Sequence, residues 1–230
     1  GLVARWKPGN QRFHQAALGT ISQRTIARRI KPGYSFPASN RGLLMRILIA
    51  GLLGAIAMFL WTFVAHMVTP LGSTGFSHMQ GEAAVLDTMD KSIGDHPGLY
   101  FFPWVDQNDP KMMEKSAALE KIHPSGLLLY RPAGKGMEGM PPSMLITEFV
   151  KQFVEATIAA WIVSMIAGGF GLRWGAVIGI YVATSIATNV SYWNWYGFPL
   201  DYTMAQIVME IVSGIVAGAA IAWWLGRRTA

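Results

Sequence analysis

The chain has 230 residues, 52% of them apolar and 14% charged, with no cysteine and a formal charge of +6. Soluble domains usually carry roughly 25% charged residues; here the apolar residues gather in long blocks, so lipid is the solvent for much of the chain. The lack of cysteine excludes disulfides, thiolate metal sites and cysteine nucleophiles.

Residues 1–46 contain Arg5, Lys7, Arg12, Arg24, Arg28, Arg29, Lys31, Arg41 and Arg46, and no Asp or Glu. Pro8, Pro32 and Pro37 interrupt a weak periodicity. Two readings of residues 1–44 are open. One is a basic cytoplasmic arm drawn to anionic headgroups, at about 1 kcal/mol per cation near the surface. The other is a disordered or non-native segment ahead of a start at Met45. Few aromatic residues accompany these charges, so no nucleic-acid partner is expected.

The first apolar block runs from Ile47 to about Val68. At 1.5 Å per residue it covers a hydrocarbon core of roughly 30 Å, which predicts a transmembrane helix within residues 45–70. A cleaved signal peptide fits less well, because the run is too long and no small-x-small cleavage site follows it.

Residues 71–144 are polar, with nine acids against six Lys or Arg. Val85, Leu86, Met89 and Ile93 fall at helical spacing, and Gly94 ends the run before the apolar stretch Gly98–Pro103. Asp109-Pro110 is a good start for a second helix reaching about Ile122. The stretch Gly126–Pro132 then repeats the helix-then-strand order, which predicts a small α+β domain with its two strands side by side.

Three further apolar blocks follow: Leu145 to about Gly168, Trp174 to about Tyr192, and Met204 to about Leu225. Gly168–Arg173 is expected as a tight turn and Ser191–Asp201 as a loop, with Trp193, Trp195 and Tyr196 at headgroup level. The expected fold is therefore mainly α, a four-helix transmembrane bundle (residues 45–70 and 145–230) with a small α+β extracytoplasmic insertion, residues 71–144, between helices 1 and 2. Lys and Arg near the helix ends put both termini in the cytoplasm. The bacterial inner membrane is the expected location and lipids are expected partners. Gly51, Gly54, Gly175, Gly179, Gly214 and Gly218 offer small faces for helix packing.

Ionisable residues are costly within a membrane, at about 2.5–3.5 kcal/mol each at a helix centre. Glu148, Lys151 and Glu155 are spaced three and four apart and share one helix face. Glu210, His66 and Asn189 lie on the other helices, all towards the outer side. Such an asymmetry fits a polar pocket that binds a ligand or a proton, with Glu155 and Glu210 at its floor. Structural pairing of Lys151 with Glu148 or Glu155 is the alternative.

Met137, Met140 and Met144, with Met112, Met113, His78, His96 and His123, raise a copper(I) reading. Methionine is also ordinary packing material, and these histidines lack ligand spacing. His66 alone is a weak haem ligand. No metal site and no cofactor is expected. Phosphate loops, dinucleotide fingerprints and nucleophile elbows are absent, so neither a catalytic residue nor an enzymatic activity is expected.

Three segments together, Ile49-Ala50-Gly51-x2-Gly54, Gly98-Leu-Tyr-Phe-Phe-Pro103 and Tyr192-Trp-Asn-Trp-Tyr-Gly-Phe-Pro199, resemble those of a group of short bacterial membrane proteins without an assigned activity. The resemblance covers most of the chain beyond residue 44. It implies the multi-pass topology and contributes no catalytic residue.

The leading expectation is a non-catalytic accessory or scaffold subunit of a larger membrane complex, or a homo-oligomer. Tyr100, Phe101, Phe102, Trp104, Trp193 and Trp195 would supply contact area. The alternative is a binding or transport protein for a small ligand, proton or metal ion. It would use Glu155, Glu210, Lys151, Glu148, Asn189 and His66.

Overall fold

The computed structural model describes residues 40–136, 139 and 141–227. The expectations for residues 1–39, Met137 and Met140 lie outside the described residues. In chain order the elements are α1 (Asn40–Met67), a short 3-10 turn (Pro70–Ser73), α2 (Glu82–Ile93) and β1 (Gly98–Phe102). There follow α3 (Met112–Glu120), β2 (Gly126–Tyr130), α4 (Pro142–Ser164) and α5 (Phe170–Ser185). A π-helical turn (Ile186–Val190) leads into α6 (Ser191–Tyr196), and α7 (Leu200–Gly226) ends the described chain.

Among the described residues, three helical stretches are long and apolar enough to cross a membrane: 41–67, 170–196 and 200–226. The protein is thus mainly helical and built as a membrane protein. α4 has 23 residues but carries Glu148, Lys151 and Glu155, and is not among the three.

Which residues face inward identifies the solvent. On α1 the inner face is Ile47, Ala50, Gly51, Gly54, Ala55 and Met58, while Leu52, Ile56, Leu60 and Phe63 point out. On α4, Ala156, Ala159 and Ala160 are buried and Val150, Val154, Ile158 and Trp161 are exposed. α7 buries Ala205, Ser213, Gly214, Ala217 and Gly218 and exposes Met204 and Val208. Small residues are common at the buried positions, beside larger ones such as Val177 and Ile221, and many large apolar side chains point outward, unlike the soluble pattern. Hydrocarbon tails give no incentive to bury leucine, and backbones that approach closely gain dispersion contacts. Gly51 meets Thr157, Gly54 meets Ile221 and Ala156, and Gly218 meets Val177 and Trp174. Gly175 and Gly179 have open space around them, so the small face expected on α5 is not used within the chain.

Several boundaries differ from the sequence reading. α1 begins at Asn40, ahead of the expected residue 45, because Arg41 and Arg46 are good helix formers that can reach polar surroundings from a helix end. The Gly168–Arg173 turn is shorter than expected, and α5 starts at Phe170. The Trp193-Trp195 segment is helical rather than a loop: the third span continues through the π turn and α6, and only Gly197–Pro199 link it to α7. Gly197 supplies the left-handed residue (φ 69°) that ends α6.

The 71–144 segment follows the expected order. β1 and β2 pair antiparallel, with Gly98 opposite Tyr130 and Phe102 opposite Gly126. Alternation puts Leu99, Phe101, Leu127 and Leu129 on one face, and Tyr100, Phe102, Leu128 and Tyr130 on the other. Tyr130 is buried and donates its hydroxyl to the Gly94 carbonyl at 3.0 Å. Burial, then the nearby Asp90 and Asp95 carboxylates, push its phenol above its ordinary pKa. Asp109 accepts from the Lys111 N–H and pairs with the Lys115 ammonium. The Lys115 contact and then the Lys111 N–H hold its carboxyl below the usual range. The segment is tied to the bundle where Phe76 meets Tyr202 edge to face, at 5.7 Å. Gly75 has φ 84° and lies flat against Tyr202, so a side chain there would clash.

Candidate functional site

Four helices enclose a cavity of about 410 Å³ at the end of the bundle from which the 71–144 segment departs. α1 contributes Met58, Trp61, Thr62 and His66; α4 contributes Glu148, Lys151, Gln152 and Glu155. α5 and the π turn add Tyr181, Thr184 and Thr188, and α7 adds Gln206, Glu210 and Ser213. Five of the six expected site residues therefore line one space: Glu148, Lys151, Glu155, Glu210 and His66.

The sixth does not. Asn189 is buried but spends its amide on its own helix, donating to the Ser185 carbonyl at 3.0 Å. The bond spans the start of the π turn, where the helix is wound more widely, so the Asn189 side chain is turned along its own helix rather than into the cavity. Thr188, its neighbour, faces the cavity instead.

Depth is greater than the block boundaries implied. α4 starts at Pro142 and α7 at Leu200. At 1.5 Å per residue, Glu155 sits about 20 Å along α4 and Glu210 about 15 Å along α7.

The charges are not balanced. Lys151 pairs with Glu148 at 2.8 Å. The Gln152 amide bridges Glu148 (2.9 Å) and Thr62 (3.0 Å), which fixes that pair to α1. Among the described residues, neither Glu155 nor Glu210 has an ion pair or hydrogen bond. Structural pairing thus accounts for Glu148 and Lys151 and leaves two carboxylates over. Gln152 is 2% exposed, and its carbonyl oxygen is buried without a partner. An orphaned buried acceptor costs roughly 1–3 kcal/mol, so its presence in the lining asks for a donor from outside the chain.

The walls are held firmly. Tyr181 donates to the Met58 sulfur at 3.0 Å, and the Trp61 indole donates to the Met209 carbonyl at 2.9 Å. Gln152, Gln206, Thr62, Thr184 and Thr188 escaped the sequence reading because neutral polar side chains are tolerated in apolar helices. Their signal was the four-residue spacing of Glu148-Gln152, Thr184-Thr188 and Gln206-Glu210, one turn apart on a common face.

The expected partner-contact aromatics divide. Trp104 and Trp195 are 66% and 76% exposed, and Phe101, Phe102 and Trp193 are also exposed. Tyr100 is not free for contact: its hydroxyl donates to the His96 carbonyl at 2.8 Å and its ring packs edge to face on Tyr130. Among the described residues no group of three or more His, Asp or Glu is close enough to hold a metal ion.

Comparison with protein-family models, with curated proteins and with solved structures gives no match.

Proposed function

We propose that the chain is a multi-pass protein of the bacterial inner membrane that captures a small protonated amine from the outer side, in the cavity between its helices. The single observation behind the reading is the meeting of Glu155 and Glu210 in one cavity where, among the described residues, neither has an ion pair or hydrogen bond and the Lys151 ammonium on the wall is paired with Glu148. Two carboxyl groups facing one space can accept the N–H donors of a protonated amine in charge-assisted hydrogen bonds. The remaining lining narrows its chemistry. Gln152 offers a free carbonyl oxygen, so the lining favours a ligand that donates several N–H groups. Trp61 and Tyr181 add aromatic walls of the kind that recognise ammonium groups. The volume suits a small molecule.

The topology belongs to the same proposal. α4 is taken as a fourth crossing because its outward residues, Val150, Val154 and Trp161, are apolar and its charges line the cavity. Four crossings put both ends in the cytoplasm and residues 71–144 outside, in agreement with the basic residues near the helix ends.

The test is the thermal stability of the purified chain in detergent with small primary amines, each matched by the alcohol of equal size. A ligand that binds only the folded state stabilises it by about 2.7 kcal/mol at a hundredfold excess over its dissociation constant. Amines are expected to raise the melting temperature and the alcohols to leave it unchanged. Equal responses to both, or none, would refute the amine reading.

A second reading, an accessory subunit of a larger assembly, is favoured by a separate feature. Leu99, Phe101, Leu127 and Leu129 form an apolar sheet face beside Trp195 and Phe198, around a recess of about 730 Å³. Exposed apolar patches of this kind mark contacts with proteins or lipid. It is compatible with a ligand cavity in the same chain.

A further inference from the structure

Three arginines that are far apart in sequence meet at the opposite end of the bundle. Arg46 from the first turns of α1, Arg173 from the first turn of α5 and Arg227 just beyond α7 line one recess of about 830 Å³, together with Gly168, Gly169 and Phe170. No carboxylate is among the described residues of this wall. Residues 1–39 and 228–230 contain no Asp or Glu side chain either. Guanidinium groups keep their charge at any physiological pH, so three cations share one space with no carboxylate among the described residues of its wall.

Part of their hydrogen-bonding capacity is spent on helix ends. Arg46 donates to the carbonyls of Leu225 (3.0 Å) and Arg227 (2.7 Å), and Arg173 donates to Leu225 (3.1 Å) and Ile166 (3.5 Å). Carbonyls at helix C-termini carry only about half an elementary charge per helix, too little to neutralise three full ones. The rest of the capacity is open. Arg173 Nε is buried with no acceptor. The Arg227 guanidinium lies 3.6 Å over the Trp223 ring, held flat by the indole, and its side chain donates to nothing else among the described residues. The N-terminus of α5 faces the same recess, and Gly169 at its cap position makes no side-chain capping bond, so first-turn N–H groups add a further positive field.

We propose that this recess binds a phosphate-bearing anion, either the headgroup of an acidic phospholipid or free phosphate. The wall offers donors in guanidinium forks and backbone N–H groups, the combination that phosphate oxygens satisfy best. Trp223 and Phe170 beside the charges suit the boundary between headgroups and acyl chains. The site is distinct from the carboxylate cavity and does not depend on its ligand.

The full chain, purified in mild detergent, is to be incubated with phosphatidylglycerol, with phosphatidylcholine and with inorganic phosphate, and the bound species counted by native mass spectrometry. Arg227→Gln is the principal variant because that side chain donates no hydrogen bond to the fold, and Arg46→Gln is the second. Retention of phosphatidylglycerol over phosphatidylcholine, reduced about tenfold in Arg227→Gln at unchanged melting temperature, is the expected result. Displacement of the lipid by inorganic phosphate would identify free phosphate as a second source, and no displacement would leave the lipid headgroup alone. Equal retention of both lipids with no bound phosphate, or retention unchanged in both variants, would overturn the proposal and reduce the arginines to caps on helix ends.

Discussion

Replacing Glu155 and Glu210 together by glutamine is expected to weaken amine binding by at least a hundredfold and to leave the bundle folded. Each carboxylate offers a charge-assisted hydrogen bond, worth about 1.5–3 kcal/mol; losing two amounts to roughly 3–6 kcal/mol, or a factor of about 10²–10⁴. Glutamine keeps the shape and the carbonyl oxygen but removes an ionisable group that is costly within a membrane. The unliganded double variant should therefore melt at or above the temperature of the parent. Glu148→Gln acts by another route. It releases the Lys151 ammonium now paired at 2.8 Å, which places a competing cation at the cavity wall and lowers affinity as well. A double variant that loses stability without any change in ligand response would instead assign these carboxylates to the packing of the helices.

Gly214→Leu should break the cavity from behind. A Cβ at Gly214 would lie 2.6 Å from Tyr181 Cβ and 2.9 Å from its Cγ. The Cβ and the root of the ring are the least yielding parts of that side chain, so α5 and α7 must separate. Overpacking of a tight contact costs about 1–3 kcal/mol, and here the displaced Tyr181 also gives up its bond to Met58 and its place in the cavity wall. A lower melting temperature and loss of amine binding are expected together. Gly179→Leu is the matched control. It introduces the same side chain on α5 at a position where a Cβ meets nothing within 4 Å, and should leave both readouts of the isolated chain unchanged.

The sequence carried the apolar blocks, and with them the spans of α1, α5 and α7, because membrane thickness dictates a minimum run of apolar residues. It also carried the shared face of Glu148, Lys151 and Glu155, since helical geometry alone sets it. Which groups that face meets is a tertiary matter. Nothing in the spacing says that Lys151 chooses Glu148 over Glu155, or that the Asn189 amide is turned along its own helix. The glycine pairs teach the same lesson. Gly214 and Gly218 meet a neighbouring helix, whereas Gly175 and Gly179, equally spaced, do not. A small face is local and its partner is not. Least legible was the meeting of Arg46, Arg173 and Arg227, which requires the ends of three helices to be known at once. The packing of Tyr100 was hidden for a related reason: strand alternation shows which face a ring is on but not what covers that face.

The polar cavity should be open to the outer side of the membrane, and the chain's lack of cysteine makes this directly testable. Single cysteines at Gln206 and Thr184, both in the cavity lining, and at Val177, buried towards the other end, are to be treated in intact cells with a membrane-impermeant thiol reagent. The account predicts that Gln206→Cys and Thr184→Cys are labelled from outside and protected by a bound amine, while Val177→Cys stays unlabelled. Labelling of the cavity positions only after the cytoplasmic face is exposed would contradict it.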